Sequence, residues 1–466
     1  MMIKFMFFDY RGYEIVDGFE RRLQPPRKHP GNPIMVNEHP ETGISFYGSV
    51  IRRPGDKLWQ MWYTTARPKL GMCLGYAESA DGIAWQRPRL DVVKAAKRPT
   101  NVVFDRTPHG ACVFYDEREE RPGWKYKMLC GAAPSHCISY FRSADGIHWH
   151  SGAEGPVIGS NPDCPISLLR ANDGRYVAYH RPGWADRRVG RSESYDCVKW
   201  SEAKMVLDQQ PGDPPQTQFY GLGSALYGPY EIGTLWIYHT DANDMDFYKM
   251  LGHQETELAY ARGGYAWRRA APGVPWIKLG APGSWEWGNI QAASAPVFLE
   301  DEIRYYYAAS RTAHGTGKKK WKSAVPRCGV GMATMKPDRF VSLVAADRGT
   351  ILTRPFWTET PRVYVNAAVA RKGELRLEVA DLAGKPIRGF ELGKCLPIAG
   401  DSTRHPVLWR GDPNPSVLAN RQIRLRVQAR DAKLYSLAVG PEAELKTYRR
   451  FRLPHFAAMD VEKARL

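Results

Sequence analysis

The chain has 466 residues, 43% of them hydrophobic, 12% aromatic and 25% charged, with a formal net charge of +17. That length exceeds what one hydrophobic core usually serves, so two domains are expected, and the apolar content excludes a disordered chain. No run approaches a membrane span, and no zinc-finger, helix-turn-helix or RNP-like pattern accompanies the basic excess, so neither a membrane nor a nucleic-acid partner is expected.

The opening MMIKFMFFDYRGYE reads as a first strand. Acidic residues follow the short apolar run at once and no small-residue cleavage site appears, which sets it apart from a signal peptide. A cytoplasmic location is the default, or a periplasmic or secreted one if a leader has been removed. The eight cysteines at 73, 112, 130, 137, 164, 197, 328 and 395 form no CxxC pair and read as reduced, buried thiols.

A repeat then emerges along the chain. GYAESADGIAW at 75–85 returns as YFRSADGIHW at 140–149, as RSESYDCVKW at 191–200 and as LAYARGGYAW ending at Trp267. Each copy joins an alternating strand, a tight polar turn and a Trp, at the spacing of four-stranded propeller blades. Asp81 and Asp145 shape turns here, and the tryptophans pack between sheets. Each copy follows further strands, KLWQMWYTTA, WKYKMLCGAA, GRYVAYHRPG and TLWIYHTDA, set off by turns such as Pro54-Gly55-Asp56. A fifth unit, SAPVFLEDEIRYYYAASR and CGVGMATMKPDRFVSLVA, keeps the order without the Trp turn. The expected class is all-β: a five-bladed β-propeller over 1–348. A small antiparallel β-sandwich over 349–466, with its strands PRVYVNAAV, GELRLEVAD, IRLRVQA and KLYSLAVG, packs against it. Lys318 to Lys320 with Lys322, around Trp321, read as a solvated loop tip.

In a propeller the first strand of every blade begins near one end of the central channel, so chemistry is sought at those five strand heads. They carry Glu41, His109, Asp163, Gln218, Tyr220, Glu286 and Gln291. Paired carboxylates suit glycoside hydrolysis, one donating a proton to the leaving oxygen while the other activates water or attacks the anomeric carbon. Asp163, Glu286 and Glu41 are the catalytic candidates. Glu286, between Trp285 and Trp287, is favoured, because an acid between two indoles is costly without a purpose. Each has a plain alternative: Glu41 as part of a Pro-Glu-Thr-Gly turn, Asp163 as a strand-entry cap, Glu286 as one half of a buried ion pair. His109, Arg181, Gln218, Tyr220, His239, Gln291, Arg311 and His314 are candidates for substrate binding, the arginines because a guanidinium fork holds a carboxylate or sulfate. No metal-ligand spacing and no cofactor motif is present. The 15 Trp and 24 Tyr suit stacking on sugar rings, so the expected partner is a carbohydrate, with an acidic one favoured by the charge.

The opening FFDYRGYEIVDGFERRLQPPRKHPGNPIM, through Asp9, Tyr10, Lys28, His29, Pro30, Asn32 and Pro33, resembles proteins described as glycosyl hydrolase family 32 N-terminal-like. The similarity continues in YAESADGIAW, QFYGL, GSWEWGNI, LTRPFWTETPRVYVNA and GDSTRHPVLW. It implies the same propeller and sandwich, shared with family 43, and a glycoside hydrolase acting on an oligo- or polysaccharide. The Trp-x-Asp-Pro-Asn-Gly and Arg-Asp-Pro segments of family 32 enzymes are missing here, so a non-catalytic carbohydrate-binding propeller is the alternative.

Overall fold

The computed structural model describes residues 1–131, 137–159, 164–184, 187–240, 251–315, 328–360, 362–445 and 450–455. Among them there is no α-helix, only strands and short 3-10 turns, as the period-two patterning predicts. Among the described residues no helix is long and apolar enough to cross a membrane. None of the eight cysteines forms a disulfide, and six of them are buried.

Successive antiparallel meanders make up the propeller-type body. The first is built from Ile44–Arg52, Trp59–Arg67, Gly71–Ser79 and Val102–Phe104. The second runs from His109–Tyr115 to His150–Ile158 and the third from Pro165–Arg170 to Lys204–Leu207, each a separate four-stranded sheet. Thr217–Tyr227, Tyr230–Thr240 and Gly252–Arg262 then lead, through a parallel bridge between Gln254 and Asn289, into Asn289–Ala292, Ile303–Ser310 and Cys328–Met335. The N-terminal pieces Arg27–Lys28 and Met35–Val36 complete that last meander by pairing with Cys328–Met335.

The inner strands touch in ring order, and Asn289–Ala292 reaches Ile44–Arg52 to close the circle. Crowding at the axis selects small residues. Ser49 and Ser294 share a 2.6 Å hydrogen bond, Ser167 and Ser224 one of 2.7 Å. A Cβ on Gly48 would lie 2.1 Å from the Trp62 carbonyl oxygen, and one on Gly223 would lie 2.4 Å from that of Ala293. Central strands such as Trp59–Arg67 are covered on both faces, which explains why WQMWYTTAR is nearly all apolar or hydroxylic.

The repeated turn is a local hydrogen-bonding device. Ser79 Oγ accepts from the Gly82 amide at 2.9 Å, while Asp81 Oδ1 accepts from the amides of Ile83 and Ala84 at 2.7 and 2.9 Å. Ser143 with Asp145, and Ser194 with Asp196, repeat it. A neighbouring sheet staples the first, second and fourth of these turns: Tyr306 donates to the Gly82 carbonyl, Trp62 to that of Gly146 and Tyr179 to that of Gly264. Burial raises the Asp145 carboxyl, but hydrogen bonds from His148 and two amides outweigh it and bring it down to about 2. Asp145→Ala is expected to lower stability by about 1–2 kcal/mol in urea unfolding at neutral pH, because two amides lose their acceptor.

Beyond the ring, the expected C-terminal β-structure takes the form of a nine-stranded sheet that curls into a half-barrel. Two long strands dominate it, Val363–Ala380 and Arg421–Val439. Both ends of the chain feed this sheet, since Ile3–Met6 pairs with Arg421–Val439, Tyr13–Asp17 with Gly349–Thr353 and Glu20–Leu23 with Val341–Ala345. One continuous core joins it to the ring through residues such as Phe8, Tyr227, Trp276, Phe340 and Phe356.

Candidate active site

At the strand-head end of the ring, the third and fourth meanders bring cations and phenols together, and an imidazole joins them from the last meander. Tyr220, 7% exposed, occupies Thr217–Tyr227, while Trp236 and Tyr238 lie on the adjacent Tyr230–Thr240. Alternation puts these three on one face, where Tyr220 stacks on Trp236 with centroids 6.4 Å apart and meets Tyr238 edge-on. Arg181 follows Tyr176–His180, its amide bonded to the Cys164 carbonyl, and its guanidinium lies 4.2 Å from the centre of the Tyr220 ring. The Arg187 guanidinium lies 5.0 Å from that ring and 5.4 Å from the Tyr238 ring. The Arg187 carbonyl accepts from the Phe219 amide and from Arg188 Nη1, and its own Nη1 donates to Gln218 Oε1 at 2.6 Å.

His314 enters from the last meander. A bridge to Gly252 fixes its backbone, and its ring sits between two phenols, Nε2 at 3.0 Å from the Tyr220 oxygen and Nδ1 at 3.1 Å from that of Tyr238. Tyr47 extends the cluster across the axis, its ring 5.7 Å from Trp236 and 5.8 Å from His109. Burial pushes the Tyr47 phenol well above its ordinary value and the neighbouring Tyr220 adds to this, while Arg181 opposes it. Tyr47, His109 and His314 keep part of their surface open. The arrangement therefore offers aromatic faces, two positive charges in a largely desolvated setting and a phenol–imidazole–phenol chain. Such a set can hold an anionic, ring-shaped ligand and move a proton.

Of the residues expected from sequence, His109, Arg181, Gln218, Tyr220 and His314 meet here. The others lie apart or elsewhere. His239 is 3.0 Å from Glu255 and Gln291 donates to Gln254 at 3.1 Å, while Arg311 is exposed. Asp163 lies outside the described residues, as do Lys318 to Lys320, Trp321 and Lys322. The Glu41 carboxylate is taken up within the first meander, accepting from Tyr63 at 2.6 Å and pairing with Arg67 at 3.2 Å and Arg87 at 3.1 Å. Glu286 pairs with Lys28 on the closing strand at 2.7 Å and accepts from Tyr307 at 2.8 Å. The acid between two indoles thus has a structural partner, the lysine Lys28. No group of three or more His, Cys, Asp or Glu side chains suited to a metal ion occurs among the described residues.

Sequence reading missed Arg187, Tyr47, Trp236 and Tyr238. The last two sit in a strand whose alternation reads as ordinary core. The only signal for Arg187 is its place in an arginine doublet before the third strand of its meander.

No family model matches the chain, and no curated protein matches it. Among solved structures, a glycosyl hydrolase from Bacteroides ovatus is similar at 15% identity and a TM-score of 0.46, over 69% of this chain and 96% of that one. A structure described with the GH130 mannoside phosphorylases, a family containing glycoside hydrolases that target β-1,2 mannosidic linkages in Candida mannan, gives 16% identity and 0.47, over 70% and 97%. The fructofuranosidase from Schwanniomyces occidentalis, complexed with fructosylnystose, gives 8% and 0.44, over 88% and 97%. With TM-scores below 0.5, none of these assigns a substrate or a catalytic residue to this chain.

Proposed function

We propose that the protein is a glycoside hydrolase that binds an acidic oligosaccharide at the strand-head end of the ring and cleaves a glycosidic bond there. One observation carries the reading: the Arg181 and Arg187 guanidiniums both lie over the Tyr220 ring, beside Tyr238 and His314. A uronate or sulfated sugar meets charge and aromatic surface there together, and opposite charges attract more strongly where water is partly excluded. Asp163, directly before Cys164, is the carboxylate we assign as the acid, because Cys164 packs in the same cluster as Tyr220 and Trp236. We assign Glu41 and Glu286 to structure, given their ion pairs. Those same pairs favour the second reading, a propeller that binds carbohydrate without turnover.

Calorimetric titration with matched neutral and uronate oligosaccharides, at low and moderate salt, tests the binding step. The parent is expected to prefer the uronate, and Arg187→Ala to lose about tenfold to a hundredfold in uronate affinity with little change for the neutral sugar. Thermal unfolding of the variant guards against misfolding. Equal affinity for the two ligands defeats the charge reading. Reducing-sugar release by the parent, lost in Asp163→Asn and kept in Glu286→Gln, separates a hydrolase from a binding module.

A further inference from the structure

The two guanidiniums and the phenol–imidazole–phenol chain are also the groups that a different bond-breaking reaction requires. We infer that on uronate-containing substrates this site cleaves the glycosidic bond by β-elimination. The inference rests on the reading that the cluster binds an acidic sugar, and it names a second activity for that site.

Elimination from a uronate begins with removal of the proton on C5, next to the carboxylate. That proton is weakly acidic while the carboxylate keeps its full negative charge, because the carbanion adds a second charge beside it. Cations placed against the carboxylate stabilise the developing enediolate, and they do so most strongly in a desolvated site. Arg181 and Arg187 are 2% and 8% exposed and share the Tyr220 ring. The base must then be a group with access to a proton acceptor. Tyr220 carries its oxygen 3.0 Å from His314 Nε2, and His314 Nδ1 lies 3.1 Å from the Tyr238 oxygen. With the ring hydrogen on Nδ1 directed at Tyr238, Nε2 is the acceptor and takes the Tyr220 proton.

The balance closes within the site. Tyr220 passes its phenolic proton to His314. The phenolate oxygen takes the proton from C5, the C–H electron pair becomes the C4–C5 double bond, and the C4–O bond breaks with its pair on the leaving oxygen. Tyr220 delivers the proton it has just taken to that oxygen, and His314 returns the first proton. Each event yields one new reducing end and one unsaturated uronate, with no water consumed and no oxidant or reductant involved.

The test uses the full chain with polygalacturonate, alginate and glucuronan as probes and a neutral galactan as control. Near-ultraviolet absorbance follows the conjugated double bond, mass spectrometry distinguishes products lighter by one water from hydrolytic ones, and titration measures binding. The expected result is unsaturated product from at least one uronate polymer and none from galactan. Tyr220→Phe, which removes one oxygen, is expected to cut that turnover by about a hundredfold or more while uronate affinity changes by only a few-fold; His314→Gln should act likewise. Hydrolytic products alone, binding without any cleavage, or full elimination by Tyr220→Phe overturns this inference and leaves the binding reading intact. Failure to bind every uronate probe overturns both.

Discussion

Lys4→Met is expected to lower the unfolding free energy by about 3–5 kcal/mol, as removal of one partner of a buried ion pair does. Lys4 and Asp338 have side chains only 4% and 8% exposed, with Nζ 2.9 Å from one carboxylate oxygen and 3.0 Å from the other. Asp338 also accepts from Tyr227 at 2.5 Å and from Ser436 at 3.2 Å. The four residues belong to the N-terminal strand, the turn after Cys328–Met335, the inner strand of the fourth meander and the long strand Arg421–Val439, so the pair sits where ring and curled sheet meet. Methionine matches the lysine stem but leaves a carboxylate buried with two hydroxyl donors and no charge partner. Adding Asp338→Asn is expected to recover a large part of the loss. Asparagine keeps an acceptor for Tyr227 and offers Ser436 an amide donor that its hydroxyl oxygen can accept from, and it tolerates the left-handed backbone at this position, where φ is 66°. Urea unfolding of the two variants beside the parent checks this. A loss under about 1 kcal/mol for Lys4→Met, the scale of a surface pair, contradicts the role of the pair as the joint.

What was legible in the sequence was what short-range chemistry dictates. The Ser-x-Asp-Gly turn carries its hydrogen bonds within a few residues, so its repetition revealed the meanders and separated Asp81 and Asp145 from catalysis. The strand heads were found for a related reason: alternation fixes where an inner strand starts, and His109, Gln218 and Tyr220 lie at or near such starts. Long-range pairing was not legible. Ile3 faces Val439 and Lys28 faces Ala333, partners whose match depends on how the ring closes and not on their neighbours in sequence.

The same distinction explains the carboxylates. Chemistry alone made Glu286 conspicuous, since an acid beside Trp285 and Trp287 needs compensation; that compensation arrives as Lys28 from the opposite end of the chain. Glu41 is compensated by Arg67 and Arg87, brought together only when the first meander folds over its own head. Arg187 shows the converse. Beside Arg188 in sequence it looks like surface charge, yet Arg188 pairs with the exposed Asp208 at 2.6 Å while Arg187 turns towards Tyr220, Tyr238 and Gln218. Only the packing of the third meander against the fourth separates their roles.

The last expected result concerns acid. His180 ends the strand Tyr176–His180, is 2% exposed and has Nε2 3.0 Å from Ser192 Oγ. Burial lowers its ring to about 4, against an ordinary 6.5, with a backbone hydrogen bond at Arg181 opposing only part of the effect. The folded value lies below the unfolded one, so between those two values the unfolded chain binds the extra proton more readily. The contribution of this group is therefore complete above about 6.5 and is lost as pH falls towards 4, amounting to about 3 kcal/mol over the window. His180→Gln, which keeps a polar group for Ser192 but cannot titrate, should flatten that part of the stability–pH curve, whatever it costs at pH 7. Urea unfolding of both proteins at pH 7, 5.5 and 4.5 measures the difference in slope. Because Arg181 is the next residue, uronate binding should weaken in the parent over the same acid range and hold better in the variant. Parallel stability curves for the two proteins show that His180 is not the group whose charging opens this strand.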